Sequence, residues 1–262
     1  MTAGRPTKFY RYRQIVGESA KYLERTLCHN EIYFPAPITF NDPFDCLATF
    51  SYEGTDDELI NDYMRIARKH GPLVSEAELR LDAEQMLVDP SRNPRSATAS
   101  NAIQDQYART VRSEIGVLCI SEVCDDILMW SHYADFHRGI CLEFDGEAMF
   151  MQHANRVTYA KHRPKIDAYR DSNDTKLDKA LLTKSDHWSY EREWRLIRYQ
   201  GGPGVVAFRP ENLTGVIFGV QAVPENVKLV TDWVNQRATR AKLYQACVNR
   251  HAYALDIVEV SA

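Results

Sequence analysis

The sequence lacks the long apolar run that a membrane-spanning helix needs, and residues 1–8 contain no apolar stretch typical of a signal peptide. It also lacks a strong charge of either sign, because 32 Lys and Arg residues nearly balance 36 Asp and Glu residues, for a formal net charge of -4. Such a balance gives no general attraction to nucleic acid or to an anionic membrane. We therefore expect a cytoplasmic protein with no membrane partner.

Cysteine is sparse, and its spacing excludes two classes of small structural site. The six cysteines are Cys28, Cys46, Cys119, Cys124, Cys141 and Cys247, and no pair has CxxC spacing. Most lie inside apolar runs, which favours reduced, buried thiols over a disulfide framework or a zinc site. The Walker A, HExxH, GxSxG and EF-hand patterns are also absent. The sequence thus predicts no bound metal.

The composition is that of a globular protein, with 262 residues of which 44% are hydrophobic and 26% charged. Strand patterns occur at residues 8–13, 117–120 and 140–144, whereas apolar residues between about 55 and 115 recur at helical spacing. We predict an α+β fold with a mixed or antiparallel β core. Residues 1–262 would form a single elaborated domain with a helical insertion at about 55–115.

The segment His187–Ile197 carries the strongest pattern in the chain. If it is one strand, Trp188, Tyr190, Trp194 and Leu196 share one face, while the other face carries Glu191, Glu193 and Arg195. A rigid strand anchored by tryptophans can hold an acid–base or ion-binding pair in place. The alternative is a solvated face whose charges pair with the next strand.

A second polar group surrounds a turn between a helix and a strand. Trp130-Ser131-His132-Tyr133 is followed by His137-Arg138-Gly139. The histidines are candidates for a metal site or an acid–base pair. A metal would need further ligands, for which the acidic candidates are Asp42, Asp45 and Glu143. The alternative is that His132 and Tyr133 hydrogen-bond within the structure while Gly139 permits the turn.

Several blocks taken together resemble one bacterial family, the domain of unknown function 2971. They are Phe9-Tyr10-Arg11-Tyr12-Arg13, Phe40-Asn41-Asp42-Pro43-Phe44-Asp45, Trp130-Ser131-His132-Tyr133-Ala134, residues 137–144, residues 188–195 and residues 213–219. The resemblance implies an accessory or defence-associated bacterial protein. It implies no settled activity.

A remoter similarity links the chain to ADP-ribosyltransferases, whose late Glu-x-Glu element would be Glu191-Arg192-Glu193. That similarity implies Glu193 as the catalytic carboxylate and Glu191 as its partner. Cleaving the nicotinamide–ribose bond of NAD develops oxocarbenium character, which a carboxylate stabilises. The substrate-binding residues would be Tyr10, Arg11, Arg13, Asn41, Asp42, His132, Tyr133 and Arg195. The Ser-Thr-Ser block of that family is absent from its expected middle position.

The first functional hypothesis is therefore an NAD-using ADP-ribosyltransferase or NAD glycohydrolase of bacterial defence or toxin type. NAD would be the substrate, no metal would be needed, and a protein or nucleic acid would be the acceptor. The second hypothesis is a metal-dependent hydrolase of nucleic acid or nucleotide. The third is a non-enzymatic partner-binding module, in which residues 188–195 only stabilise the core.

Overall fold

The computed structural model describes residues 4–70 and 74–260. The strands are β1 (Lys8–Arg13), β2 (Glu31–Phe34), β3 (Thr49–Ser51), β4 (Gly116–Ser121), β5 (Ile140–Asp145), β6 (Asn155–Arg156), β7 (Thr158–Ala160), β8 (Lys165–Asp167), β9 (Thr183–Ser185), β10 (Glu193–Arg198), β11 (Gly204–Ala207), β12 (Leu213–Phe218), β13 (Lys242–Val248) and β14 (Leu255–Val260). The α-helices are α1 (Gly17–His29), α2 (Asp56–His70), α3 (Glu76–Val88), α4 (Ala97–Glu114), α5 (Ile127–Tyr133), α6 (Asn173–Leu181) and α7 (Pro224–Asn235). Among the described residues, no helix is both long and apolar enough to cross a membrane.

The chain divides into two compact units. Unit 1 comprises the described residues of 4–39, 114–157 and 186–260, and unit 2 those of 40–113 and 158–185. Each unit is thus built from separate stretches of sequence.

Unit 1 is organised around an eight-stranded sheet with the order β14-β13-β12-β5-β1-β4-β10-β6. Strands β12 and β13 are parallel, and the other neighbouring pairs are antiparallel. A two-stranded sheet pairs β2 with β11. The mixed sheet with flanking helices confirms the α+β fold class predicted from the sequence.

The large sheet has an apolar core on each face. On one face, here called the α1 side, Phe9, Leu142 and Trp194 pack with residues of α1 and α7, among them Leu23 and Val230. On the opposite face, the α5 side, Tyr12 and Cys141 pack with Met129 and Trp130 of α5. The central strands are therefore covered on both faces, which explains why β5 is buried along almost its whole length.

The segment predicted as one strand at His187–Ile197 is two elements, which corrects that prediction. Residues Asp186–Glu191 form a 3-10 helix, and β10 begins only at Glu193. The break lies at Arg192, whose φ of 45° is left-handed. Side chains before and after Arg192 therefore do not follow one alternation between the two faces of a strand. Tyr190 packs against the α5-side core, whereas Trp194 and Leu196 belong to the α1-side core, so the predicted single aromatic face does not form.

A left-handed turn connects α5 to β5. Asp135, Phe136 and His137 have φ values of 47°, 52° and 68°, a conformation that is strained for residues with a side chain. Gly139 follows the turn, and a Cβ there would lie 2.2 Å from the backbone oxygen of Arg13. Glycine is needed here for the close approach to β1, and the left-handed turn itself is formed by residues 135–137, not by Gly139 as the sequence suggested.

Unit 2 contains the helices that the sequence predicts near residues 55–115. Helices α2 and α3 pack through Ile60, Met64, Leu79 and Ala83, and α3 begins with a capping box between Ser75 and Glu78. Two short parallel pairs, β3 with β8 and β7 with β9, complete the unit.

Candidate functional site

A row of polar side chains crosses the middle of the large sheet on its α5 side. Strand pairing places Glu193 opposite Ser121, Ser121 opposite Tyr10, and Tyr10 opposite Glu143. Residues that are cross-strand partners point to the same face, so these four side chains form one continuous row. With Glu191, Arg195 and Tyr133 they make what we call the polar face.

Glu193 and Arg195 form a buried ion pair at the β10 end of this row. The Nε of Arg195 donates to Oε1 of Glu193 at 2.7 Å, and Nη2 donates to Oε2 at 3.1 Å. Glu193 is 3% exposed and Arg195 is 0% exposed. The two-pronged contact fixes the carboxylate in one orientation and stabilises it out of water.

Glu191 lies beside this pair and is held from two sides. Tyr133 donates its hydroxyl to Oε1 of Glu191 at 2.6 Å, and Ser121 donates to the backbone oxygen of Glu191 at 2.6 Å. Tyr133 is the last residue of α5, whose start is capped by Asp126 through the amides of residues 128 and 129. The short helix α5 therefore positions the hydroxyl of Tyr133 next to the carboxylate of Glu191.

Glu143 is a third buried carboxylate on the same face. It accepts from Lys8 Nζ at 2.9 Å, from Thr214 Oγ1 at 2.8 Å and from Tyr10 at 3.3 Å. The hydrogen bond to Glu143 raises the pKa of Lys8. Gly215 allows the ring of Tyr244 to lie close to the backbone beside Glu143, because a Cβ at residue 215 would be only 2.8 Å from that ring.

Burial also changes the acidity of the groups that surround Glu143. It raises the pKa of Tyr10, and the nearby Cys124 and Glu143 raise it further. Burial, together with the charge of Asp125, raises the pKa of Cys124 to about 11. Both groups therefore carry their protons near neutral pH and can act as hydrogen-bond donors.

Aromatic side chains lie next to Glu191. The exposed ring of His132 lies 6.1 Å from Trp188, 6.5 Å from Tyr190 and 6.2 Å from Tyr133, measured between ring centroids. These rings offer flat surfaces on which a heterocycle can stack. The structure thus brings His132, Tyr133, Glu191, Glu193 and Arg195 to one side of the sheet.

Arg11 and Arg13 do not join this group, which corrects the expectation of a site shared with the glutamates. They alternate with Tyr10 and Tyr12 along β1, so they point to the α1 side. Their neighbours there include Tyr22 and Leu23 of α1. The expectation failed because strand alternation in β1 puts its tyrosines and its arginines on opposite faces.

Asn41 and Asp42 belong to unit 2, where their block forms a tight turn. Asp42 is 5% exposed and accepts from the amide of Phe44 at 2.9 Å. Asp45 accepts from the amide of Cys46 at 2.8 Å and lies 3.8 Å from Lys184. These acids have evident structural partners in the turn.

The described residues contain no group of three or more His, Cys, Asp or Glu side chains that could hold a metal ion. His137 instead stacks on Trp130 at 6.4 Å, and its Nε2 lies 3.1 Å from Ser131 Oγ. Burial lowers the pKa of His137. The donor sets suggested by the second hypothesis are therefore not assembled in the part of the chain that the structure describes.

The sequence suggested Glu143 only as a candidate metal ligand, and it gave no reason to place Lys8 or Cys124 next to the polar face. A signal was present for Glu143, because it is the one acidic residue inside the apolar run Ile140–Phe144. Alternation with Leu142 and Phe144 predicts the face on which it lies. Nothing in the local sequence pairs Lys8 with it, since their contact depends on the register between β1 and β5.

The structure is that of an α+β protein with three buried carboxylates on one side of its mixed sheet, Glu143 and Glu193 on strands and Glu191 at the end of the preceding 3-10 helix. Residues 129–196 match the family model described as "Protein of unknown function (DUF2971)". The match covers most of α5, all of β5 and the start of β10, and over these residues it supports the family resemblance predicted from the sequence blocks. No curated protein and no solved structure matches the chain, so the similarity to ADP-ribosyltransferases stays a prediction.

Removing the guanidinium of Arg195 tests the buried ion pair. We expect Arg195→Met to lower the free energy of unfolding by about 3 to 5 kcal/mol, because it leaves a buried carboxylate without its cation. The double variant Arg195→Met/Glu193→Leu should recover most of that loss. Urea unfolding measures both, and Lys228→Met, which breaks an exposed pair with Asp232, serves as the control. A loss below about 1 kcal/mol in Arg195→Met would contradict the assignment.

The half-buried phenol of Tyr10 predicts a loss of stability in alkali. Its pKa is raised in the folded protein above the ordinary value of 10.0, so above that pH the unfolded chain releases a proton that the folded chain keeps. Stability from this group is complete below pH 10 and falls as pH rises. Relative to Tyr10→Phe, the wild type should lose about 1.4 kcal/mol by about pH 11.

Urea unfolding at several alkaline pH values measures this difference. Tyr253→Phe, which changes a fully exposed ring, should leave the pH dependence of the wild type unaltered. Equal slopes for the wild type and Tyr10→Phe would show that Tyr10 ionises in the folded state as it does in the unfolded chain.

Proposed function

We propose that the protein binds a nicotinamide dinucleotide on its polar face and cleaves the bond between nicotinamide and ribose. The observation that carries the proposal is a set of three buried carboxylates on one side of the sheet, Glu143 and Glu193 on its strands and Glu191 beside them. Each is oriented by a tyrosine or an arginine. Buried, oriented carboxylates are well suited to stabilising positive charge as it develops on a sugar ring.

In the proposed reaction, the glycosidic bond breaks and its electron pair leaves with nicotinamide. Positive charge then develops on the ribose, where the carboxylate of Glu193, fixed by Arg195, stabilises it. The oxygen of water or of an acceptor bonds to the anomeric carbon, and its proton passes to Glu191, which Tyr133 holds in place. The rings of His132, Trp188 and Tyr190 supply stacking surfaces for the heterocycles.

The phosphates need a different partner from the one that the sequence suggested. Arg11 and Arg13 lie on the α1 side, away from the polar face. Lys8, whose side chain is 47% exposed and already contacts Glu143, is the cation next to the row of carboxylates. We assign the pyrophosphate contact to Lys8 within this proposal.

Incubation of the purified protein with NAD, alone and with protein or nucleic-acid acceptors, tests the activity by release of nicotinamide. Glu193→Gln should lower the rate by about 100-fold or more, because it removes the charge that stabilises the transition state. Glu191→Gln, which keeps the contact with Tyr133, should lower it as well. The control Glu225→Gln lies on the surface of α7 and should match the wild type.

Thermal unfolding of each variant separates a catalytic loss from a folding loss. If folded Glu193→Gln releases nicotinamide as fast as the wild type, Glu193 has no part in the reaction. If the folded wild type releases none with any acceptor, the partner-binding hypothesis takes precedence. That alternative is favoured by one observation, namely that Arg195 already occupies both oxygens of Glu193.

A further inference from the structure

Arg11 and Arg13 line a small cavity on the α1 side of the sheet. Both alternate with the tyrosines of β1 and share the side of Phe9, which is fully buried. The cavity has a volume of about 10 Å³, and its remaining walls are Tyr22, Leu23, Thr26, Ile32, Tyr33 and Leu142. The rings of Tyr22 and Tyr33 stack on each other at 4.8 Å. This is a separate place from the polar face, on the other side of the same strand.

The guanidinium groups of Arg11 and Arg13 have few hydrogen-bond partners. Arg13 Nη2 donates to Ser19 Oγ at 3.1 Å, whereas Nη1 of Arg11 is buried with no hydrogen-bond partner. Within residues 4–70 and 74–260, no carboxylate forms an ion pair with either arginine. Glu31, at the start of β2, is paired at 2.5 Å with Arg25. The cavity therefore contains positive charge without a matching negative side chain.

Both side chains are partly exposed, but two adjacent like charges repel each other, and an anion between them would relieve that repulsion. Burial lowers the pKa of both arginines, and the adjacent charge of Arg13 lowers that of Arg11 further, to about 9. A buried cation is costly unless an opposite charge is close, and a neighbouring cation adds repulsion. A water molecule can accept a hydrogen bond from Arg11, but it does not remove the repulsion.

The volume of the cavity limits which anion can neutralise the charge of Arg11 and Arg13. A volume of about 10 Å³ corresponds to one water-sized particle, which suits a monatomic anion better than a phosphate or an organic acid. From the unpaired Nη1, the adjacent arginine and this volume, we infer that Arg11 and Arg13 bind one halide ion, chloride in physiological solution, beneath α1. The bound ion links β1 to α1 and stabilises the folded state.

Thermal unfolding in chloride and in gluconate at equal ionic strength tests the inference. The wild type should melt about 2 °C or more higher in chloride, because chloride binds only the folded form. Arg11→Met should lose this difference and should be at least as stable as the wild type in gluconate, since it removes one of two adjacent like charges. Lys21→Met, which removes an exposed cation of α1 that pairs with the exposed Glu18, is the matched control and should keep the difference.

A second measurement does not depend on any variant folding. Crystals of the wild type grown in bromide should show an anomalous scattering peak between the guanidinium groups of Arg11 and Arg13. No peak together with equal melting temperatures in chloride and gluconate would mean that the cavity holds water only, and would overturn the inference. Stabilisation by inorganic phosphate and not by chloride would overturn the assignment to a halide.

Discussion

The bidentate ion pair between Glu193 and Arg195 is the interaction on which the polar face depends. Both side chains are buried, and neither could remain charged in that position without the other. The pair fixes one end of the row that continues through Ser121 and Tyr10 to Glu143. Because each member hydrogen-bonds to a neighbour or to backbone, the row has little freedom to rearrange, and its carboxylates are held in position before any ligand arrives.

Strand alternation places the buried acids and the two arginines of β1 on opposite faces of the sheet. On β1, the tyrosines point to the α5 side, where the acids are, while Arg11 and Arg13 point to the α1 side. The acidic face carries its own cations, Arg195 and Lys8. Among the described residues, Arg11 and Arg13 form no ion pair with a carboxylate, which is why an inorganic ion is expected there.

Much of the fold and part of the site could be predicted from sequence. Alternation in Lys8–Arg13 and Ile140–Phe144 and helical spacing near residues 55–115 are local signals, and they indicated the α+β class correctly. The segment from His187 was wrongly predicted to be one strand, because the left-handed backbone at Arg192 interrupts the alternation. No residue type in the segment predicts a left-handed backbone there. The failed grouping of Arg11 with Glu193 has another cause. Neighbours across a sheet depend on strand order and register, which a single sequence does not specify.

The central claim is that the polar face is a binding site and not only a buried structural network. Hydrogen–deuterium exchange of the backbone amides, measured with and without NAD, tests this claim most directly. The account predicts slower exchange in residues 127–133 and 186–195 when NAD is present, with unit 2 unchanged. Exchange in those two segments that does not respond to saturating NAD, or protection confined to unit 2, would contradict it.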